Sequence, residues 1–205
     1  QIFLAGHNFS GQSNAVAVEY GADAKDGTTF GNDTRINAAG LKSAVGNFSG
    51  FWDSSDTTAV DPVVFARIGT ADLPLVIAED GDVGDVAYLK RVMLGEYGMD
   101  GQIGELLPFS VTFEGTDGHP LVRGRLFHNA SATGNVTGTA IQLGAVSSAQ
   151  FVYAALHVFS GSGSFDVLVQ SSADQAFTTP TTRITFTNVA TGTAVASEWA
   201  TRVAG

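Results

Sequence analysis

The sequence predicts a mainly β protein, and three observations carry that prediction. The chain of 205 residues contains 25 glycines but only 5 prolines, which suits many tight turns between short strands. Lysine and glutamate, which long helices favour, are scarce, whereas Ala, Gly, Thr, Ser, Val and Phe dominate. Several segments alternate apolar with polar residues. With 44% apolar residues the chain can bury a sizeable core, and we expect a β-sandwich with one short flanking helix.

The first part of the chain predicts two strands separated by a long polar loop. The run from Ala15 to Val18 leads to Tyr20, and a second strand-like run ends in Phe51 and Trp52. Glycine, aspartate and asparagine residues punctuate the segment between them, and these residues favour turns. A loop as long as the segment between Tyr20 and Val45 is uncommon inside a compact domain unless it binds something. We therefore expect it to contact another protein.

One helix is expected between residues 56 and 69. Asp61 is a suitable N-cap, and Pro62 then stands at the first helical position, where proline is favoured. Gly69 would end the helix.

The middle of the chain predicts four further strands. Residues 75–77 form a compact apolar run, and residues 86–97 resume a strand after an acidic turn. Residues 107–113 alternate strictly between apolar and polar or small side chains, which indicates a half-buried strand. A glycine-bounded turn at 115–118 then predicts a hairpin with residues 121–127.

The last third of the chain predicts a second β unit. A polar segment of Ser, Thr, Gly and Asn occupies residues 130–140 and resembles a hinge. Short alternating strands follow at residues 151–159, 165–170, 183–189 and 199–203. We therefore expect a core unit of residues 1–135 and a C-terminal β unit of residues 136–205, either separate from the core or sharing its sheet.

The sequence contains no recognisable catalytic, cofactor or metal motif. There is no cysteine, and the four histidines lack metal-ligand spacing. No serine lies in a nucleophile elbow, and no glycine-rich loop continues into a phosphate-binding motif. The turn with Asp80, Asp82 and Asp85 begins like a calcium loop, but Gly84 replaces the next ligand and the closing glutamate is missing. We expect a solvated acidic turn, no cofactor, no metal and no enzyme.

The net charge of −10 limits the possible partners. An acidic surface repels nucleic-acid phosphates, which argues against a DNA reader but is compatible with a conduit past which DNA slides. No apolar run of about 18 residues occurs, so no membrane partner is expected. The absence of cysteine suits a reducing cytoplasm, and the first residues lack the basic start of a signal peptide.

The aromatic residues are expected to pack mainly in the core. The chain has 14 Phe against 4 Tyr and 2 Trp, whereas binding platforms favour Tyr and Trp. Phe48, Phe51, Trp52, Phe109 and Phe113 are therefore predicted to be core anchors. The alternatives for Phe48, Phe51 and Trp52 are a sugar-stacking platform or an interface anchor.

Four segments together resemble the tail tube, or major tail, proteins of long-tailed bacteriophages and similar virion components. They are SGQSNAVAVEYGAD, DGTTFGNDTRINAAGLKSAVGNFSGFWD, LPLVIAEDGDVGDVAYLKRVML and GELLPFSVTFEGTDGHPLVRGRLF. A T-T-F-G turn, a long arm and a G-L-K-S strand closing in S-G-F-W-D recur in that order in such proteins. The resemblance covers roughly residues 9–128.

The resemblance implies a virion tail protein, assembled in the host bacterial cytoplasm. Six copies would form a ring whose inner sheets join into a β-barrel lumen, through which DNA passes without specific binding. Rings would stack on each other and meet other tail proteins, with the segment Lys25 to Gly40 bridging to the next ring. The residues expected at the contacts between subunits are Lys25, Asp26, Thr28, Thr29, Phe30, Asn32, Asp33, Arg35 and Asn37.

Two other functions remain open from the sequence. A capsid decoration protein would also be β-rich, acidic and free of cysteine, but it would bind preformed capsids and never polymerise alone. An extracellular carbohydrate-binding β-sandwich would need an exposed Trp or Tyr platform, for which Trp52 and Trp199 are the candidates.

Overall fold

The computed structural model describes residues 1–102, 105–145, 147, 149–190 and 195–203, with the backbone alone at 202 and 203. Within this range the chain is mainly β, as predicted, and its strands form no closed barrel. The elements are β1 (Ile2–Leu4), β2 (His7–Asn8), β3 (Ser13–Asp26), β4 (Asn37–Phe51), α1 (Val60–Phe65), β5 (Leu73–Ala78), β6 (Val86–Met99), β7 (Pro108–Gly115), β8 (Val122–Arg125), β9 (Phe151–Val158), β10 (Leu168–Ser171), β11 (Thr181–Thr185) and β12 (Ala196–Val203).

The chain divides into two compact units. The central unit consists of Gln12–Asp72 and Val92–Leu121, and the terminal unit consists of Gln1–Gly11, Leu73–Arg91 and Val122–Gly205. The segment Val122–Gly205 thus groups with earlier parts of the chain, and the boundary near residue 135 stays a prediction.

The central unit is built on an antiparallel sheet in the order β6, β7, β4, β3, to which β6 contributes its second half. Phe48, Val111 and Tyr97 stand in one row across it, because each lies opposite the next in register. Phe48 and Val111 are fully buried on this face. The hydroxyl of Tyr97 donates to Oδ1 of Asp61 on α1 over 2.9 Å, which places the helix on the same face. Burial and this hydrogen bond raise the pKa of Tyr97.

The predicted helix exists, but it is shorter than expected and its N-cap is different. It covers Val60–Phe65, and Ala59 occupies the N-cap without a side-chain hydrogen bond. Asp61 lies inside the first turn, where its carboxylate accepts the Tyr97 hydroxyl and does not cap the helix. Gly69 adopts a positive φ of 76° beyond the end of the helix. The Asp61 carboxylate, which the sequence pattern assigned to helix capping, thus makes a tertiary hydrogen bond instead.

The predicted hairpin between residues 107–113 and 121–127 is wrong in its pairing. The first strand does form as β7, with its apolar residues buried in alternation. Both of its edges are filled, however, by β4 on one side and β6 on the other. β8 pairs with the first half of β6, from Val86 opposite Arg125 to Leu89 opposite Val122. The 14-residue β6 is long enough to pair with β8 along its first half and with β7 along its second half. A turn pattern in the local sequence does not show which distant strand will pair with a given edge.

The terminal unit packs around a small apolar core. β1 lies between β2 and β5, and β5 neighbours the first half of β6. The buried cluster consists of Phe3, Val76, Ala78, Ala87 and Leu89, and Trp199 and Ala155 of the C-terminal strands pack against it.

The four predicted C-terminal strands all form, with boundaries that differ by a few residues. β9 pairs with β12 along eight residues, from Phe151 opposite Val203 to Val158 opposite Ala196. β10 pairs with β11. The alternation in the sequence therefore identified these strands correctly.

His157 on β9 is enclosed by protein, although the alternation of residues along this strand predicts that its side chain lies on the polar face. Its Nδ1 accepts the backbone N–H of Gly6 over 3.1 Å, and its ring lies 6.2 Å from the ring of Phe3. Its Nε2 is shielded from solvent and has no hydrogen-bond partner among the described residues. Burial, together with the nearby His7, lowers the pKa of His157 from 6.5 to about 3.

This histidine predicts an acid-dependent loss of stability. In the unfolded chain His157 takes up a proton near pH 6.5, whereas the folded protein resists protonation until about pH 3. The contribution of His157 to the free energy of unfolding should therefore fall by about 1.4 kcal/mol for each pH unit below 6.5. Denaturant titrations between pH 6.5 and 4.5 should show a shallower slope for His157→Gln. An identical slope in the wild-type and His157→Gln proteins would contradict this assignment.

Candidate functional site

The most prominent feature of the central unit is a two-stranded arm. The last pair between β4 and β7 joins Val45 to Glu114, but β3 and β4 remain paired as far as Asp26 opposite Asn37. At about 3.3 Å per residue, the arm of residues 20–43 runs roughly 25 Å beyond the end of β7. Every residue of the arm is exposed except Gly40, which is partly buried.

The arm corrects the prediction of a long loop from Lys25 to Gly40. Lys25 and Asp26 belong to β3, and the residues from Asn37 to Gly40 belong to β4, so the loop proper covers only residues 27–36. Main-chain hydrogen bonds hold this ribbon together, and they tolerate the small alanine and glycine side chains and the turn-forming residues found here. The turn-forming residues do form a turn, but only at the tip of the arm.

Gly40 allows the two arm strands to approach at an irregularity. The register shifts between Ala22 and Ala24, which leaves two residues of β4, Gly40 and Leu41, opposite the single residue Asp23 of β3. A Cβ atom added to Gly40 would lie 2.9 Å from the Cβ of Asp23 and 3.1 Å from its backbone oxygen. A side chain at this position must therefore push the strands apart.

Local hydrogen bonds order the tip of the arm. Gly27 N–H donates to the carbonyl of Ile36 over 2.8 Å, and Ile36 N–H donates to Oγ1 of Thr28 over 3.0 Å. Thr28 N–H in turn donates to the carboxylate of Asp26, and hydrogen bonds from Thr28 lower the pKa of Asp26. Phe30 at the apex is completely exposed. An ordered tip that holds an aromatic ring in solvent has the form of a contact surface.

The structure gathers all the predicted contact residues at this end of the arm. The strand positions Lys25, Asp26 and Asn37 flank the tip loop. The remaining six lie within that loop and are exposed: Thr28, Thr29, Phe30, Asn32, Asp33 and Arg35.

Three of the predicted core anchors are buried and two are not. Phe48, Phe109 and Phe113 are buried, and the rings of Phe48 and Phe109 meet edge to face at 6.0 Å. Phe51 and Trp52 are 45% and 37% exposed, so their prediction as core residues is wrong. Phe51 lies three residues after Phe48 and thus points to the opposite face of the sheet.

The face of the central sheet away from α1 is polar and acidic. Three rows of residues cross this face in the strand order β3, β4, β7 and β6. The first row is Glu19, Val45, Glu114 and Met93. The second is Ala17, Asn47 and Thr112, and the third is Ala15, Ser49, Ser110 and Gly98. These positions include no lysine or arginine. The alternation of Ser110, Thr112 and Glu114 between buried residues of β7 was the sequence signal for this face, but its acidity emerges only when the strands are paired.

The outer edge of β3 completes the candidate surface. β3 ends the strand order of the sheet among the described residues. It is 14 residues long, contains no proline and has a single lysine, Lys25. Val16 and Tyr20 are both half-exposed along it. The charged residues of β3, Glu19, Asp23, Lys25 and Asp26, all lie in its second part, so residues 13–18 form an uncharged unpaired edge. Such an edge is a template for pairing with another chain.

The acidic turn is the one possible metal cluster among the described residues. Single carboxylate oxygens of Asp80, Asp82 and Asp85 lie within 4.8 Å of one another. Two of these carboxylates already accept backbone hydrogen bonds. Asp82 N–H donates to Asp85 over 3.0 Å, and Gly81 N–H donates to Asp80 over 2.7 Å. The turn is largely exposed, as expected of a solvated turn.

Within the described residues, no helix is both long and apolar enough to span a membrane.

Comparisons with known proteins give similarities in structure only. No family model and no curated protein matches the chain. The tail of an empty gene transfer agent particle with C6 symmetry is 14% identical, with a TM-score of 0.41, and the match covers 56% of this chain and 81% of that one. The virion of the native gene transfer agent particle is 15% identical, with a TM-score of 0.40 and coverage of 54% and 85%.

The SPP1 tail tube is a third similar structure. It is 8% identical, with a TM-score of 0.47, and the match covers 69% of this chain and 92% of that one. The tail tube class named by the sequence resemblance is therefore also among the structural similarities. At TM-scores below 0.5, these similarities carry no argument about the assembly or partners of this chain.

A substitution at Gly40 should open the arm without unfolding the sheet. Gly40→Ala should lower the free energy of opening by about 1–3 kcal/mol, because the added Cβ meets Asp23. Gly21→Ala is the matched control, since Gly21 lies in the same arm and a Cβ added there would have no neighbour within 4 Å. Amide hydrogen exchange should accelerate at residues 22–42 in Gly40→Ala alone. Equal exchange in both variants would contradict the close approach.

Proposed function

We propose that this chain is a structural subunit of a virion tail tube that assembles with copies of itself into stacked rings. The exposed arm is the observation that carries the proposal. An isolated two-stranded ribbon is marginally stable in water, yet here it extends roughly 25 Å beyond the sheet with its residues exposed. A partner that covers the arm would supply the missing burial, and the sequence resemblance to tail tube proteins suggests a copy in the next ring.

The edge of β3 supports lateral association within a ring. Pairing between strand edges gives a repeating main-chain contact that depends little on side-chain chemistry. Val16 and Tyr20 border this edge and would be covered by the neighbour. Such pairing, repeated around a closed ring, would also remove the exposed edge that otherwise invites aggregation. A ring of six copies is the expectation from the sequence resemblance.

The acidic face of the central sheet supports the role of a DNA conduit. Glu19 and Glu114 share one row with Val45 and Met93, and the other two rows of this face hold small and polar side chains. Glu96 is exposed at the neighbouring irregularity of β6, where its N–H donates to Oγ1 of Thr112 over 2.9 Å. Carboxylates repel phosphates, so a lumen lined by this face would let DNA slide past without binding. Assembly in the host bacterial cytoplasm and contact with other tail proteins belong to the same proposal.

A carbohydrate-binding role is the second candidate, and the exposure of Trp52 favours it. Phe51 and Trp52 together present aromatic surface of the kind on which sugars stack. A chain that binds glycans and stays monomeric at every concentration would fit this candidate better than the first.

Removal of the arm tests the proposed function. Residues 21–43 can be replaced by an Asn-Gly turn between Tyr20 and Ala44, which already face each other in register. Electron micrographs of the concentrated wild-type protein should show rings stacked into tubes. The armless variant should retain its fold but form no tubes, because the contact between rings is lost. A monomeric wild-type protein, or unchanged tubes from the armless variant, would contradict the proposal.

A further inference from the structure

We propose that Ala5 and Gly6, in the turn between β1 and β2, form an acid-released latch with His157 of β9. The latch holds the strand pair β9 and β12 against the N-terminal strands, and the pair separates from them when the imidazole of His157 takes up a proton. This inference goes beyond the proposed function and does not depend on it, since the latch lies entirely within the terminal unit of one chain.

Main-chain pairing does not hold the strand pair in place. Among the described residues, β9 and β12 form a sheet of two strands that pair only with each other, whereas β1, β2 and β5 belong to the eight-stranded sheet. Side-chain packing and single hydrogen bonds therefore attach the pair. Such an attachment can open while the eight-stranded sheet stays closed, because opening breaks none of its backbone ladders.

The turn between β1 and β2 fits closely against the start of β12. Ala5 and Gly6 have positive φ angles of 48° and 84°, and positive φ at both central residues is the property of a type I′ hairpin turn. A Cβ added to Gly6 would lie 2.5 Å from Cγ1 of Val195 and 2.7 Å from the carbonyl oxygen of Ala196. Only a residue without a side chain fits this place, so the turn matches the surface of the strand pair.

A hydrogen bond joins the same turn to β9. Gly6 N–H donates to Nδ1 of His157 over 3.1 Å, so this nitrogen carries no proton and the neutral ring is protonated at Nε2. When the ring takes up a second proton, Nδ1 also becomes a donor and opposes the N–H of Gly6. Protonation therefore breaks the latch at the bond that closes it.

The protonated ring would also lack an acceptor on its other side. Nε2 of His157 is shielded from solvent and has no hydrogen-bond partner among the described residues. The ring of Phe3 lies beside it, with 6.2 Å between the ring centroids. A buried imidazolium without an acceptor is unstable, so exposure of the ring to water relieves the cost.

No carboxylate on the described part of the strands around His157 faces the ring. His7 at the end of the turn is buried, and burial followed by this neighbour lowers the pKa of His157. Ser197 lies opposite His157 on β12, and the adjacent Glu198 points to the other face of the pair. On β9, Tyr153 shares the face of His157 and is neutral in the acid range.

The N-terminal side of the joint is equally free of negative charge. β1 and β5 contribute no titratable side chain. In the first half of β6, Arg91 is the charged residue that alternates with Ala87 and Leu89, which belong to the buried cluster. A guanidinium has the same sign as the imidazolium and does not stabilise it. Protonation of His157 thus favours separation of the strands.

A second unsatisfied group makes the joint easy to open. Trp199 lies opposite Ala155, and both share the face of His157. Both pack against the buried cluster around Phe3, yet Nε1 of Trp199 is shielded from solvent and finds no hydrogen-bond partner in the described part of the chain. Separation of the strands would hydrate this N–H together with the imidazole.

Native-state amide hydrogen exchange of the wild-type chain tests the latch. An isolated pair of strands is marginally stable, so the amides of β9 and β12 should exchange when the pair separates. Their protection factors should be lower, and should depend less on added urea, than those of β4 and β7. Between pH 7.5 and 5.0 they should fall about thirtyfold or more, because separation restores the ordinary histidine pKa of 6.5.

His157→Asn should remove the acid response. The side-chain oxygen of asparagine can accept the N–H of Gly6, but asparagine does not titrate. The fall in the protection factors of β9 and β12 should therefore be about thirtyfold smaller than in the wild-type chain.

Gly6→Ala should loosen the latch without a proton. The added Cβ meets Val195 and Ala196, so the protection factors in β9 and β12 should already fall about tenfold or more at pH 7.5. Gly11→Ala is the matched control in the same unit, since a Cβ added there has no neighbour within 4 Å. It should leave exchange in these strands unchanged.

Three results would overturn the latch. The first is equal protection and equal urea dependence in β9, β12, β4 and β7, since the strand pair would then open only with the whole chain. The second is the same acid response in the wild-type and His157→Asn proteins. The third is wild-type exchange in Gly6→Ala. If His157→Asn does not fold, the wild-type urea series and the two glycine variants decide.

Discussion

The ladder of main-chain hydrogen bonds between β3 and β4 is the interaction on which the other assembly features depend. Close to the sheet, this ladder is covered by β7 and by the apolar face around Phe48. Beyond Val45 it continues without either support, as far as Asp26 and Asn37. The same two strands therefore anchor the arm in a packed core and hold its tip far from the sheet. A flexible loop of the same length would reach as far but would lose more conformational entropy on binding.

The sequence predicted the existence of most elements because their signals are local. The alternation of Phe109, Val111 and Phe113 identified β7, and alternating residues identified the C-terminal strands. Pairing was not predictable in the same way, since β6 accepts two successive partners and only the assembled sheet decides which strands they are. The arm was mistaken for a loop for a related reason. Its alanines and glycines have weak strand propensity, and the ladder that makes them extended comes from the partner strand.

The candidate surface was predicted in part for similar reasons. The tip residues, from Thr28 to Arg35, could be named from their unusual polar turn pattern. The exposure of Phe51 and Trp52 could not be predicted, because these residues resemble core residues until the end of β4 leaves them partly exposed. The acidic row of Glu19 and Glu114 joins residues far apart in sequence, and it exists only through the registers of three strands.

Amide hydrogen exchange of the arm, compared between dilute and assembled wild-type protein, is the most direct test of the stacking contact. The backbone of residues 20–43 is open to solvent in the single chain, so its exchange should be fast in dilute solution. Assembly should slow exchange at the tip by an order of magnitude or more, because a covered hairpin must first dissociate before it opens. Equally fast exchange of the arm in tubes and in single chains would contradict the claim that the arm joins one copy to the next.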